Sequence, residues 1–313
     1  MKRRYSLGIL SATLAATTLA VGTGLIYHKA MVRKDESSES ETRRRNELAH
    51  RFPSSATDWF AKHTKMSWHV RSKDGLPLHA TFLYNEASRT GKTAMLCHDH
   101  AGIGPHLFTF ARLFYDLGYH VLLPDARGYG KSGGDYSGFG WPDRLDVLSW
   151  LDEIKARVDD QSEVVLFGIS MGAAAVMSAA GEKALPQNVK AIIEDCGFTS
   201  LHELFTNLLP TSYNVPAFPF VSLTSTVVKT KHGYSFKQAS PLNQLANNTI
   251  PVLFIHGKKD PIVPYTMVES LKAATKGPQE EFAVATATHR MSYAKDPDGY
   301  ERAVRLFLEK YVG

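Results

Sequence analysis

Cysteine is scarce in this sequence, 2 among 313 residues, which excludes a disulfide-stapled scaffold. Cys97 and Cys196 each end an apolar run, and that position predicts buried free thiols. The globular part also lacks net charge. Of the formal +5, residues 1–51 supply all: they carry ten Lys/Arg against five Asp/Glu, and the remainder balances at 26 of each. A neutral body does not offer the basic footprint that nucleic acid requires, so no nucleic-acid partner is expected. The surplus sits instead where it would meet an anionic membrane surface. A phosphate-cradling loop is missing as well. Thr90-Gly91-Lys92-Thr93 has the ending of one, but the position of its first glycine is Glu86, so the stretch reads as a loop entering the strand Thr93 to Cys97.

What is present begins with Lys2-Arg3-Arg4 and an uncharged run from Tyr5 to Tyr27, close to the roughly 20 residues that span a bilayer. Residues 1–4 are then a short tail, 5–27 a transmembrane anchor and 28–60 a charged tether containing Ser37-Ser38-Glu39-Ser40-Glu41 and Arg43-Arg44-Arg45. The alternative is a cleavable signal peptide, which suits the charged start and the small residues Ala16 to Ala20. Against it, the apolar run is long and shows no clean Ala-x-Ala site. The short tail predicts a cytoplasmic N-terminus and an extracytoplasmic globular domain, or a secreted domain if the segment is cleaved. Residues 61–313 form that domain.

The rest of the chain is arranged about Val164-Val165-Leu166-Phe167-Gly168-Ile169-Ser170-Met171-Gly172-Ala173-Ala174-Ala175. The apolar, β-branched run reads as a buried strand and the small residues after it as a helix lying close to that strand. Gly-x-Ser-x-Gly falls on the junction. Many loops match that pattern alone, but between a strand and a helix it describes a turn so tight that positions 168 and 172 leave no room for side chains, with Ser170 exposed at its apex.

Around it, strands alternate with helical patterns. Strands are predicted at Met66 to Val70, Leu78 to Tyr84, Thr93 to Cys97, His120 to Leu123, Val189 to Glu194, Ile250 to Gly257 and Glu281 to Ala285. Helices are predicted at Leu107 to Leu117, Asp143 to Val158 and Pro297 to Tyr311. This alternation means a mainly parallel sheet covered on both faces, with the site on the loops at one edge. The glycine-dense stretch Pro124 to Gly134 reads as a structural loop, since no helix N-terminus follows closely to favour phosphate. From about 198 to 240 the alternation breaks into apolar segments with few charges, the mark of an inserted cap over an apolar pocket.

Ser170, Asp260 and His289 each follow a strand end. The chemistry wants this set: a hydroxyl becomes a nucleophile when an imidazole takes its proton, and a carboxylate fixes the imidazole's tautomer. Asp195 is an alternative acid. His256, on its strand, reads as a packing or loop-stabilising residue. His98-Asp99-His100 has three readings: a zinc-binding His-x-His, a polar loop without a role, and an oxyanion loop whose backbone N–H faces the nucleophile. Its place, directly after the strand that precedes the first helix, favours the third.

The motifs together resemble the α/β-hydrolase superfamily, and more closely its membrane-anchored bacterial serine aminopeptidase-like or cinnamoyl-esterase-like branch. The resemblance runs from about residue 60 to the C-terminus. Leu123 to Gly134, Gly138-Phe139-Gly140-Trp141, Phe167 to Ala174, Glu194 to Ser200, Leu253 to Gly257, and His289 with Ser292-Tyr293 carry it. It implies an α/β-hydrolase fold: a mainly parallel eight-stranded sheet, helices on both faces and an inserted cap. It also implies Ser170, Asp260 and His289 as a catalytic triad, with oxyanion N–H groups from His100 and Met171 and neither metal nor organic cofactor. The expected activity is that of a serine hydrolase of carboxylesterase type, acting on a small ester with an apolar part. An amidase or peptidase with the same triad and a non-catalytic membrane-tethered binding protein are the alternatives. One departure stands out. The family's oxyanion loop begins His-Gly, and here Asp99 replaces the glycine, which strains the position if φ is positive there and sets a carboxylate beside the expected oxyanion.

Overall fold

The computed structural model describes residues 2–33, 52–88, 91–100, 102–159 and 161–313, with residues 2–16 described by backbone alone. Eight strands form one sheet in the order β1-β2-β4-β3-β5-β6-β7-β8. They are β1 Met66–Arg71, β2 Pro77–Leu83, β3 Thr93–Cys97, β4 His120–Pro124, β5 Val164–Ile169, β6 Val189–Asp195, β7 Val252–Gly257 and β8 Gln279–Val284. The two pairings made by β2 are antiparallel and every other pairing is parallel. The central strands alternate between two cores. Val165, Phe167 and Ile169 of β5 pack with α2 (Ser54–Lys62), α3 (Phe108–Asp116) and α11 (Pro297–Tyr311). Val164 and Leu166 face α4 (Asp143–Arg157), α5 (Met171–Ala180), α8 (Pro241–Leu245) and α9 (Thr266–Ala274). The expected α/β-hydrolase architecture is therefore the observed one.

The ordering of β3, β4 and β5 makes the switch point of the sheet, the place where open α/β sheets present ligands. The loop after β3 and the turn after β5 meet there, since Cys97 is paired with Gly168. At this turn the backbone is crowded: a Cβ on Gly172 would lie 2.0 Å from the Cys97 carbonyl oxygen, and one on Gly168 would lie 2.3 Å from the Gly172 carbonyl.

The cap is α6 (Leu201–Tyr213) and α7 (Ala217–His232) with their flanks. It packs through Phe205, Leu209, Val221, Val228 and Phe236 onto Phe139, Met171, Ala174 and Val263. Asn207 Nδ2 donates to the carbonyls of Pro261 and Ile262, both at 2.8 Å. A 30-residue helix, α1 (Lys2–Met31), precedes the domain. Among the described residues no helix is long and apolar enough to cross a membrane, and the side chains of residues 5–16, half of the expected anchor, lie outside the described residues. The segment 28–60, expected as a tether, is built into the fold at both ends: Ala30 and Met31 join the cap core, and Phe52 and Ala56 the main core. Residues 34–51 lie outside the described residues.

The glycine-dense loop after β4 is held from within. Asp125 accepts the N–H of Gly104 at 2.9 Å and of Lys131 at 3.0 Å, and meets His79 Nδ1 at 3.0 Å. A carboxylate occupies the place an anion would need, so the structural reading holds. Beside it, Asp143 opens α4, fully buried and accepting the Gly140 N–H at 3.1 Å. Desolvation by burial raises its carboxyl to about 6, against the opposing pull of the Arg127 guanidinium.

Two outcomes are expected. Because the folded state holds the Asp143 proton more tightly than the unfolded chain, its contribution is present below about pH 4 and is lost as the pH rises towards 6. Asp143→Asn should therefore gain stability relative to the native chain between thermal melts at pH 4 and pH 8, by up to about 3 kcal/mol; parallel melting curves at the two pH values would contradict this. Gly172→Ala drives a methyl into backbone that cannot yield, and urea unfolding should show a loss of roughly 3 kcal/mol.

Candidate active site

Ser170 sits between β5 and α5 with φ 53° and ψ −106°. A non-glycine residue in that region is strained by about 1–3 kcal/mol and must be held by its surroundings. Its N–H donates to the Asp195 carbonyl at 2.8 Å, and its carbonyl accepts from Ala174 at 3.0 Å. The side chain is left pointing away from the core. Ser170 Oγ is 2.9 Å from His289 Nε2, and His289 Nδ1 is 2.7 Å from Asp260 Oδ2. Asp260 Oδ1 accepts the N–H groups of Ile262 at 2.8 Å and Val263 at 2.9 Å. The acid is therefore fully satisfied and buried, while the imidazole keeps 13 % of its side chain exposed. With Nδ1–H donating to the carboxylate, Nε2 is left to accept from the hydroxyl.

The structure thus brings Ser170, Asp260 and His289 together, as their order after successive strands implied. Asp195 is directed elsewhere: it meets Tyr300 Oη at 3.1 Å. His256 is, as expected, a loop-stabilising residue. Its Nε2 donates to the Val263 carbonyl at 2.9 Å, and desolvation lowers its pKa, which keeps it neutral behind the Asp260 loop.

The two histidines of the β3 loop part company. His98 Nε2 accepts the Ala126 N–H at 2.9 Å and its Nδ1 donates to the Asp99 carbonyl at 2.7 Å. The His100 ring stacks on Phe139, with centroids 4.5 Å apart, and bonds the Tyr129 hydroxyl through Nδ1. Their rings serve separate hydrogen-bond networks, unlike a zinc-binding pair. Met171, the other expected oxyanion residue, is the first residue of α5, where a backbone N–H has no partner within its own helix and the helix dipole favours negative charge.

Asp99 is not in the left-handed region; the non-glycine residues that are include Ser170, Cys196 and Arg290. The substitution of glycine thus introduces no strain of that kind. Its carboxylate is also answered: Asp99 Oδ2 pairs with Arg290 Nη1, from the residue following His289. This partner escaped the sequence reading, although an acid at an unexpected place in the loop after β3 and an arginine next to the imidazole are the signal that would reveal it.

Cys196, Asp260 and His289 bring potential ligand atoms within 4.8 Å of one another. Burial pushes the Cys196 thiol well up, and the neighbouring carboxylates push further, so the thiolate that metal binding needs is disfavoured. Asp260 and His289 already engage each other. The donor set suits proton transfer to and from Ser170 better than coordination.

The sequence matches the alpha/beta hydrolase family over residues 94–303. It is 27 % identical over 303 residues to the uncharacterized protein YqkD of Bacillus subtilis, covering 96 % of this chain and 97 % of that one. With the alpha/beta hydrolase domain-containing protein WAV2 of Arabidopsis thaliana it shares 30 % identity over 251 residues, 78 % of each chain. Among solved structures, the Pyrococcus furiosus esterase Pf2001 superposes with a TM-score of 0.65 at 20 % identity, over 84 % of this chain and 95 % of that one. An Exiguobacterium antarcticum esterase superposes with a TM-score of 0.58 at 16 % identity, over 78 % and 100 %. The fold, the switch-point site and these matches agree, and the chain belongs to the α/β hydrolase family.

Proposed function

We propose that the chain is a serine hydrolase that cleaves carboxylic esters through an acyl-enzyme on Ser170. The observation that carries this is the unbroken relay from the Ser170 hydroxyl through His289 to Asp260, at 2.9 and 2.7 Å. In the first half-reaction His289 Nε2 takes the hydroxyl proton as Oγ attacks the ester carbonyl. The imidazolium so formed is stabilised by Asp260, which stays ionised. The tetrahedral oxyanion is received by the N–H groups of Met171 and His100, donors of a kind worth roughly 3–4 kcal/mol each. Collapse expels the alcohol, which takes the proton from His289 and leaves the acyl group on Ser170. Water, deprotonated by His289, then attacks the acyl-enzyme; the acid departs and Ser170 regains its proton. The apolar cap supports a hydrophobic part on the substrate.

Asp99 and Arg290 enter this scheme as a neutralised pair. An uncompensated unit charge ~8 Å from an oxyanion costs about 2 kcal/mol at an effective dielectric near 20, and the guanidinium cancels that cost. Residues 5–27 act, in the same proposal, as a membrane anchor that leaves the catalytic domain extracytoplasmic. The length of the uncharged run supports the anchor, and the short tail before it supports the orientation.

Purified protein should hydrolyse p-nitrophenyl esters, and Ser170→Ala should lower the rate by about 10⁴-fold or more; an unchanged rate would sink the proposal, and turnover confined to aminoacyl amides would move it to an amidase. Arg290→Ala should reduce kcat by about 30-fold at unchanged fold, and Asp99→Gly added to it should restore most of the loss. A double-mutant cycle checks this, and native kcat in Arg290→Ala would contradict it.

A further inference from the structure

The last half of α1 is docked on the cap, and the surface they share has a one-sided composition. From Thr17 to Met31 the helix lies along α7. Phe220 fills the space beside Gly22, where a Cβ would meet its ring at 2.7 Å. Further along, Tyr27 Oη bonds His232 Nε2 at 2.8 Å and the two rings stack. The buried faces are accounted for by Thr23, Ala30 and Met31 on one helix and Val221, Thr224 and Val228 on the other. The outward faces are not covered by any described residue. Phe218, at the start of α7, is 82 % exposed, and Leu25 and Val21 are 65 % and 57 % exposed. These are three of the most exposed large apolar side chains described. They gather where Gly22 meets Phe220, on the side from which the uncharged run of α1 arrives.

Charge completes the pattern. No Asp or Glu occurs from residue 204 to residue 259 or from residue 2 to residue 34. Among the described side chains of the two helices the exposed charges are Lys29, Lys229 and Lys231, and they lie past the apolar tip, towards the C-terminal ends of both helices. Lys29 Nζ sits over the Tyr213 ring at 4.7 Å and Lys231 Nζ over the Tyr27 ring at 4.9 Å. Four residues separate Leu25 from Lys29, a rise of about 6 Å along a helix. An exposed apolar tip followed by lysines and tyrosines, about one turn on along α1 and about three turns on along α7, with no carboxylate on either helix, is the arrangement of a surface half-sunk in a bilayer. Asp135 acts on Tyr27 and His232 from the end of this surface, and Arg33, which donates its N–H to the Asp135 carbonyl at 2.8 Å, lies beside it.

We infer that the cap rests on an anionic bilayer, with Phe218, Val21 and Leu25 at the level of the acyl chains and Lys29, Lys229 and Lys231 among the headgroups. This rests on the reading of residues 5–27 as an anchor and goes beyond it: the catalytic domain does not hang on a tether but is held cap-down at the membrane. The cap core runs on to Met171, beside Ser170, so the candidate site is then filled from the membrane side.

The test uses the full chain reconstituted in vesicles of phosphatidylcholine with about one third phosphatidylglycerol, labelled with a nitroxide at Phe218→Cys and, separately, at Lys183→Cys on the opposite edge of the domain. The unsubstituted chain, with half-buried Cys97 and buried Cys196, serves as the labelling blank. The expected result is that the label at 218 is more accessible to oxygen than to a water-soluble nickel chelate, that the label at 183 shows the reverse, and that Lys29→Glu, Lys229→Glu and Lys231→Glu together return the label at 218 to water. An alkaline carbonate wash reads the anchor separately. Protein retained after the wash with label 218 in water overturns the cap proposal alone. Protein released by the wash with label 218 in water overturns both. Label 218 in lipid supports cap docking whichever way the wash falls.

Discussion

The structure depends on how closely one turn can approach the neighbouring backbone. Between β5 and α5 the chain reverses direction against the end of β3 with no space for a side chain at Gly168 or Gly172. Ser170 is forced to φ 53° in consequence. That strain is offset by a central strand buried on both faces and by a helix start whose alanines fit flat against the sheet. The same closeness makes the serine useful. It leaves the hydroxyl at the apex, puts the first N–H groups of α5 beside it, and brings the β3 loop into range at the switch point of the sheet.

The other two residues of the relay are positioned by different means. Asp260 is caught by the N–H groups of Ile262 and Val263 in a loop that His256 braces and that Asn207 of the cap holds from above. His289 sits in the loop after β8, between that acid and Arg290, which ties the same loop to Asp99 after β3. The imidazole is thus fixed from two sides, by the carboxylate it bonds and by an ion pair across the site. A glycine in the Asp99 position would have no need of Arg290, so the acid and the arginine are read together as one unit.

Much of this was legible in the residues. Apolar runs marked β3, β5, β6 and β7 to within two residues, because strands buried on both faces have to be continuously apolar. Ser170 and Asp260 were found because each follows such a run, and His289 because it follows the last strand, β8. The short helices α2, α8 and α10 (Ser292–Lys295) were not, since each is packed by tertiary contact and shows too few turns for a period. The ends of the segment 28–60 were misjudged for a related reason: Ala30, Met31, Phe52 and Ala56 look unremarkable among charges, and their burial depends on partners far along the chain. Arg290 was invisible as a partner because nothing in linear order joins it to a residue 191 positions away.

The central claim is that Ser170 is an activated nucleophile and not a strained structural residue. Intact-mass and peptide-level mass spectrometry after brief exposure to a fluorophosphonate tests it most directly. The account predicts one phosphonyl adduct, on the peptide containing Ser170, whose formation slows sharply in His289→Ala. An unmodified chain, or labelling indifferent to loss of the imidazole, would contradict it.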